Sequence, residues 1–253
     1  MIAATSQREP AIRVVGLKKR FGDRIVLDDV SFDVAAGEVV AILGASGAGK
    51  TTLFRCLARL APSDDGQIFL GADAMRSLGG QRPSMARGEV GLIFQQFNLI
   101  RRLSALDNVL AGRLADVPTW RVMLRRFPHR DRQLALAALD RVGMLSFALR
   151  RADSLSGGQQ QRVAIARALA QQSRFVLADE PVASLDPESA KSVLSILRDI
   201  ARERMIAVLV SLHQVEFAIL FADRVIGLRA GRMISDRPVA LFGETDHRAI
   251  FVS

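Results

Sequence analysis

The chain has 253 residues, 49% of them apolar, which suffices for one large α/β domain or a core with an added lobe and excludes a disordered polypeptide. Its net charge is +9, yet the arginines are scattered, with pairs at Arg101-Arg102, Arg125-Arg126 and Arg150-Arg151 and no aromatic interleaving to stack bases; this favours an anionic membrane surface over nucleic acid. No apolar run of about 18 residues marks a membrane span, the first ten residues carry no secretory signal, and the lone Cys56, set among Leu53, Phe54 and Leu57, reads as a small buried hydrophobe in a reducing compartment.

In chain order, Ile12 to Leu17, Ile25 to Leu27 and Val30 to Val34 alternate apolar and polar residues. They predict short antiparallel strands, broken at Gly22-Asp23 and Ala36-Gly37 and forming an edge β-layer. Val39 to Leu43 is a continuous apolar run, the pattern of a strand buried on both faces. Leu53, Phe54, Leu57, Leu60 and Ala61 then fall at helical spacing until Pro62 to Gly66 stops them, and Gln67 to Leu70 is a short strand. From about Asn98 to Arg151 the pattern is mostly helical, with Trp120 and Phe127 as candidate lobe-core residues. Strands resume at Phe175 to Ala178, Ile206 to Val210 and Val225 to Leu228, alternating with helices at Ser189 to Glu203 and Val215 to Phe221. The expected architecture is α/β: a mixed sheet flanked by helices, an antiparallel edge layer and an inserted α-helical lobe.

The chemistry-bearing residues lie at the ends of these elements. Gly44, Ala45, Ser46, Gly47, Ala48, Gly49, Lys50, Thr51 and Thr52 join the buried strand to the first helix as a P-loop. Its glycines let backbone amides converge on phosphates, Lys50 neutralises phosphate oxygens and the Thr51 hydroxyl suits Mg²⁺. Asp179 and Glu180 close the strand Phe175 to Ala178, where carboxylates face a phosphate crevice. Asp179 suits the metal's coordination shell, and Glu180 suits orientation or deprotonation of a water. More than a hundred residues after the P-loop, Leu155 to Arg162 forms a second glycine-rich element, in which Ser156 can cap a helix while Gly157 and Gly158 leave its positive end open to phosphate.

Together these motifs resemble those of the ABC transporter ATPases, from about residue 11 to about residue 243. The resemblance implies a P-loop NTPase (RecA-like) core at about 11–96 and 161–243, a helical lobe at about 97–160, and terminal extensions at 1–10 and 244–253. It makes Phe21 the aromatic that stacks on adenine, where the family more often has tyrosine. Gln95 becomes the residue reaching Mg²⁺ and the attacking water, favoured by spacing over Gln96. Ser156, Gly157 and Gly158 become the cap on the γ-phosphate of ATP bound to a second copy of the chain, Asp186 an interface residue and His213 the catalytic switch beside Glu180. His129 and His247 receive no role. ATP and Mg²⁺ are the implied cofactors. A second copy and integral-membrane permease subunits are the implied partners, with an extracytoplasmic solute-binding protein acting indirectly and the chain peripheral on the cytoplasmic face of the inner membrane.

Within that family, Gly112-Arg113-Leu114 and Thr119-Trp120-Arg121 are similar to an insertion of bacterial phosphonate-importer ATPases. Importers of phosphate-like anions, amino acids or methionine share the catalytic motifs, as do lipoprotein-release and efflux ATPases. Soluble ABC ATPases usually carry tandem domains or a coiled coil, and a small-molecule kinase has no use for Leu155 to Arg162 or His213.

Overall fold

The computed structural model describes residues 10–71, 90–124 and 126–252; the expected extension at 1–10, apart from Pro10, and Arg125 lie outside them. Strands β1 (Pro10–Phe21) and β2 (Arg24–Ala35) form a hairpin, and β4 (Asp65–Leu70) pairs with the other edge of β1. Two strands expected in Ile25 to Val34 are one, because the chain absorbs the polar Asp28-Asp29 break as an irregularity. Asp29 takes a left-handed φ of 59° opposite Gly16, where the β1–β2 register shifts.

The second sheet contains β3 (Val39–Leu43), β5 (Val90–Phe94), β6 (Phe175–Asp179), β7 (Ala207–Leu212), β8 (Arg224–Arg229) and β9 (Arg232–Pro238), in the order β5-β6-β7-β3-β8-β9. All neighbours are parallel except β8 and β9. Two apolar layers explain the uninterrupted apolar runs. Val40, Ile42, Leu177 and Leu209 point into the layer shared with β1, β2 and α1 (Lys50–Leu57). Val39, Ala41, Leu43, Ala178 and Val210 point into the layer shared with the helices on the other face.

Helix α1 stops at Leu57, short of the expected Ala61. Arg59 turns left-handed (φ 56°) and the amides of Leu60 and Ala61 fold back onto the Arg55 carbonyl, which puts Leu60 on the surface. The inserted lobe holds α2 (Ala105–Leu110), α3 (Thr119–Met123), α4 (His129–Arg141) and the start of α5 (Gly157–Ala170), which runs on through residue 160 into the core. Phe127 packs against the core, but Trp120 does not: it is 57% exposed, because α3 buries none of its residues. Helices α6 (Pro187–Arg204) and α7 (Val215–Phe221) flank the sheet. Helix α8 (Glu244–Phe251) lies in the expected C-terminal extension and seats Ile250 against Gly227 of β8.

Candidate functional site

The P-loop leaves β3 at the centre of the six-stranded sheet. Glycine is required at two of its positions for different reasons. A Cβ on Gly44 would stand 2.4 Å from the Leu228 carbonyl oxygen, and Gly49 takes φ 108° to start α1. Lys50 is buried, and its Nζ donates to the carbonyls of Gly44 (2.7 Å) and Ala45 (3.2 Å). Burial pushes the Lys50 ammonium pKa down, and the charges of Glu180 and Asp179 partly oppose that shift. Glu180 lines the same cavity as Lys50.

Two cavities meet at Thr51. One, of about 310 Å³, is lined by Phe21, Ser46 to Thr52, Glu180 and His213. The other, of about 320 Å³, is lined by Thr51, Gln95, Gln96 and Asp179 among others. Phe21, 55% exposed, presents its ring at the first cavity, with Lys19 Nζ 5.3 Å from the centroid. A stacking face beside a phosphate loop suits a purine nucleoside triphosphate. Thr51, Gln95 and Asp179 bring a hydroxyl, an amide carbonyl and a carboxylate to one cavity, a hard oxygen set that fits Mg²⁺.

His213 Nε2 lies 2.6 Å from Glu180 Oε1, with Glu180 held at φ 50° just beyond β6. Ser211, missed by the sequence reading, completes this corner. Its hydroxyl donates to Asp179 Oδ1 (2.7 Å) and accepts from the Glu180 amide (2.8 Å), so one fully buried side chain on β7 fixes both acids. A serine two residues before the histidine, in a strand paired with the acidic one, was the available signal.

The second glycine-rich element is built as a helix start. Ser156 Oγ accepts from the Gln159 amide and Gln159 Oε1 accepts from the Ser156 amide, a capping box at the head of α5. Gly158 packs so tightly that a Cβ would sit 2.9 Å from Ser189 Oγ of α6. Asp186 caps α6 by accepting from the Ser189 amide at 2.9 Å, and those hydrogen bonds hold its carboxyl below the usual range. Ser156, Gly157, Gly158 and Asp186 are absent from the linings of both cavities. The exposed head of α5 therefore lines neither of the two cavities that meet at the P-loop.

A P-loop on a parallel strand, paired acids two strands away and a separate capped helix start define an ATP-binding cassette ATPase. The model of the ABC transporter family matches residues 27–183, and the chain belongs to that family. It is 48% identical over 241 residues to the hypophosphite import ATP-binding protein of Stutzerimonas stutzeri, covering 95% of this chain and 70% of that one. It is 50% identical over 235 residues to a phosphonates import ATP-binding protein of Cupriavidus pinatubonensis, covering 91% and 84%. Among solved structures it resembles a dimeric ATP-binding cassette in a post-hydrolysis state with ADP and Pi (TM-score 0.75, 30% identity, covering 91% of this chain and 100% of that one). It also resembles cbiO1 of Clostridium perfringens (TM-score 0.80, 26% identity, covering 95% and 93%). The chain is the ATP-hydrolysing subunit of an ABC import system.

Proposed function

We propose that two copies of this chain close around two ATP molecules to drive uptake of a phosphorus oxyanion, with phosphonates as the substrate class, through permease subunits in the inner membrane. The observation that carries the two-copy reading is the division of phosphate-directed groups. The P-loop and Glu180 line one cavity, while Ser156, Gly157 and Gly158 head a helix outside it. A second copy brings its α5 head to the γ-phosphate, and Asp186 lies at the same interface. The functional domain is taken as 11–243, with helices of the permease docking in the groove between the core and the lobe at 97–160, near Gln95.

Within one site, the P-loop amides and Lys50 bind the phosphates and Phe21 stacks on the adenine. Thr51, Asp179 and Gln95 would hold Mg²⁺, which would supply neutralisation of phosphate charge when bound. Glu180 accepts a proton from the attacking water, and His213 holds its carboxylate at the cavity mouth. Loss of the bridging phosphate charge lets the copies separate. The transported anion meets the permease and an extracytoplasmic binding protein, so its identity is not written in the residues of this chain.

Support for phosphonates comes from the Gly112 to Arg121 insertion and from the relatives; the hypophosphite relative makes hypophosphite the second reading. The test is uptake of labelled alkylphosphonate and hypophosphite by cells lacking the gene, complemented with wild type or Glu180→Gln. Phosphonate uptake restored by wild type alone supports the proposal. Restoration of hypophosphite uptake alone moves the substrate to the second reading, and restoration of neither overturns the substrate class.

A further inference from the structure

The insertion that carries the subfamily resemblance builds an exposed apolar face. On α3 and its C-cap, Trp120, Met123 and Leu124 sit at i, i+3 and i+4 and are 57%, 80% and 60% exposed. This face is held on a fixed base. Val117 is buried before it, Phe127 packs on the core after it, and the Arg126 amide donates to the Arg121 carbonyl to close the turn.

The charges around it are equally one-sided. The two acids that flank it in sequence are both paired with the buried Arg113: the exposed Asp116 at 3.0 Å and the buried Asp131 at 2.9 Å. Arg121 and Arg126, on and just after α3, form no ion pair among the described residues, and Arg121 lies over the Trp120 ring at 5.2 Å. Tryptophan, thioether and leucine on one face with unpaired arginines around them match the chemistry of a lipid interface. Apolar groups enter the acyl boundary while guanidinium groups meet anionic phosphate. A protein groove would have to supply acids for the unpaired arginines as well as an apolar floor; an anionic bilayer supplies both without a fitted shape.

We infer that α3 and its arginine rim form a contact patch for an anionic lipid surface, with Trp120 at its centre. This goes beyond the proposed import cycle and does not depend on the substrate.

The chain contains one tryptophan and no tyrosine, so its indole emission reports on this patch alone. The experiment titrates the full-length, nucleotide-free protein with phosphatidylglycerol vesicles, and separately with phosphatidylcholine vesicles, at low salt. Expected are a blue shift of Trp120 emission and co-sedimentation with the anionic vesicles only. The apparent partition constant should fall about fivefold for each of Arg121→Gln and Arg126→Gln, from the roughly 1 kcal/mol per arginine at such a surface. Met123→Asp with Leu124→Asp, both exposed, should abolish the shift while ATP hydrolysis persists as the check on folding. Four results overturn the patch: no shift with anionic vesicles, sedimentation without a shift, an equal shift with phosphatidylcholine, or a shift that appears only with detergent-solubilised permease.

Discussion

At the residue scale, Ser211 and Lys50 show how burial sets the site's chemistry. Ser211 satisfies a backbone amide and a carboxylate at once. Ser211→Ala leaves both without that partner in a buried corner, which costs about 1–3 kcal/mol and frees Glu180 from a backbone conformation that needs holding. The expected result is a lowered melting temperature and at least a tenfold drop in kcat (~1.4 kcal/mol or more), with KM for ATP changed far less; an unchanged kcat would remove Ser211 from the machinery. Lys50 works in the opposite sense. Its pKa is depressed in the fold from an ordinary value of 10.5, so between the lowered value and 10.5 the folded chain binds fewer protons than the unfolded one. Stability contributed at this position therefore rises with pH across that window. The melting-temperature difference between wild type and Lys50→Met is expected to move in favour of wild type as pH climbs from neutrality towards 10.5. Saturating ATP should flatten the wild-type trend, because phosphate stabilises the ammonium. A difference independent of pH would mean that Lys50 is not held against its charge.

At the element scale, α5 joins the capped helix start to the segment leaving β5. Arg167 Nη1 donates to the Asn98 carbonyl (2.6 Å) and Nη2 to that of Phe97 (3.1 Å), both residues being left-handed. Asn108 of α2 holds the next stretch through the amide and carbonyl of Ile100. Gly112 lets this packing close, since a Cβ there would lie 2.5 Å from the Arg167 carbonyl oxygen. Arg167→Ala should lower the urea-unfolding free energy by about 1.5–3 kcal/mol, the usual worth of hydrogen bonds to a charged donor; a loss under about 0.5 kcal/mol, the range of ordinary surface substitutions, would show that the segment holds itself.

The same elements show what the sequence could and could not display. Strands β3, β6, β7 and β8 and helices α6 and α7 were legible because both faces of those strands are buried and the helices carry one apolar stripe. Strand β9 was not, since its residues are mostly exposed at a sheet edge and leave little apolar alternation. Trp120 misled because a large aromatic reads as core by default, whereas α3 is anchored by its flanks and not by its own side chains. The P-loop, Asp179, Glu180 and His213 were legible as motifs. Ser211 was hidden inside an apolar run, where a hydroxyl looks like noise until its partner strand is known.

At the scale of the whole molecule, each copy carries +9, so two copies repel until something anionic lies between them. In the proposed dimer, ATP at the P-loop provides that charge, and the exposed head of α5 provides the positive helix end that reads it from the other side. Ser156 has two jobs in this scheme, capping its own helix and meeting the partner's phosphate, and a single substitution separates them. Aspartate caps a helix as well as serine does, so Ser156→Asp should stay within about 0.5 kcal/mol of wild type in folding stability. It should also bind ATP normally, because Ser156 is not part of its own chain's nucleotide cavity. The carboxylate it brings to the partner's γ-phosphate, however, opposes the charge that joins the copies. On a Glu180→Gln background, where ATP is expected to trap a dimer, adding Ser156→Asp should return the sedimentation profile to monomer at the same ATP occupancy. A dimer that survives would place the α5 head away from the shared phosphate, and a loss of ATP binding by the monomer would place it in the chain's own pocket.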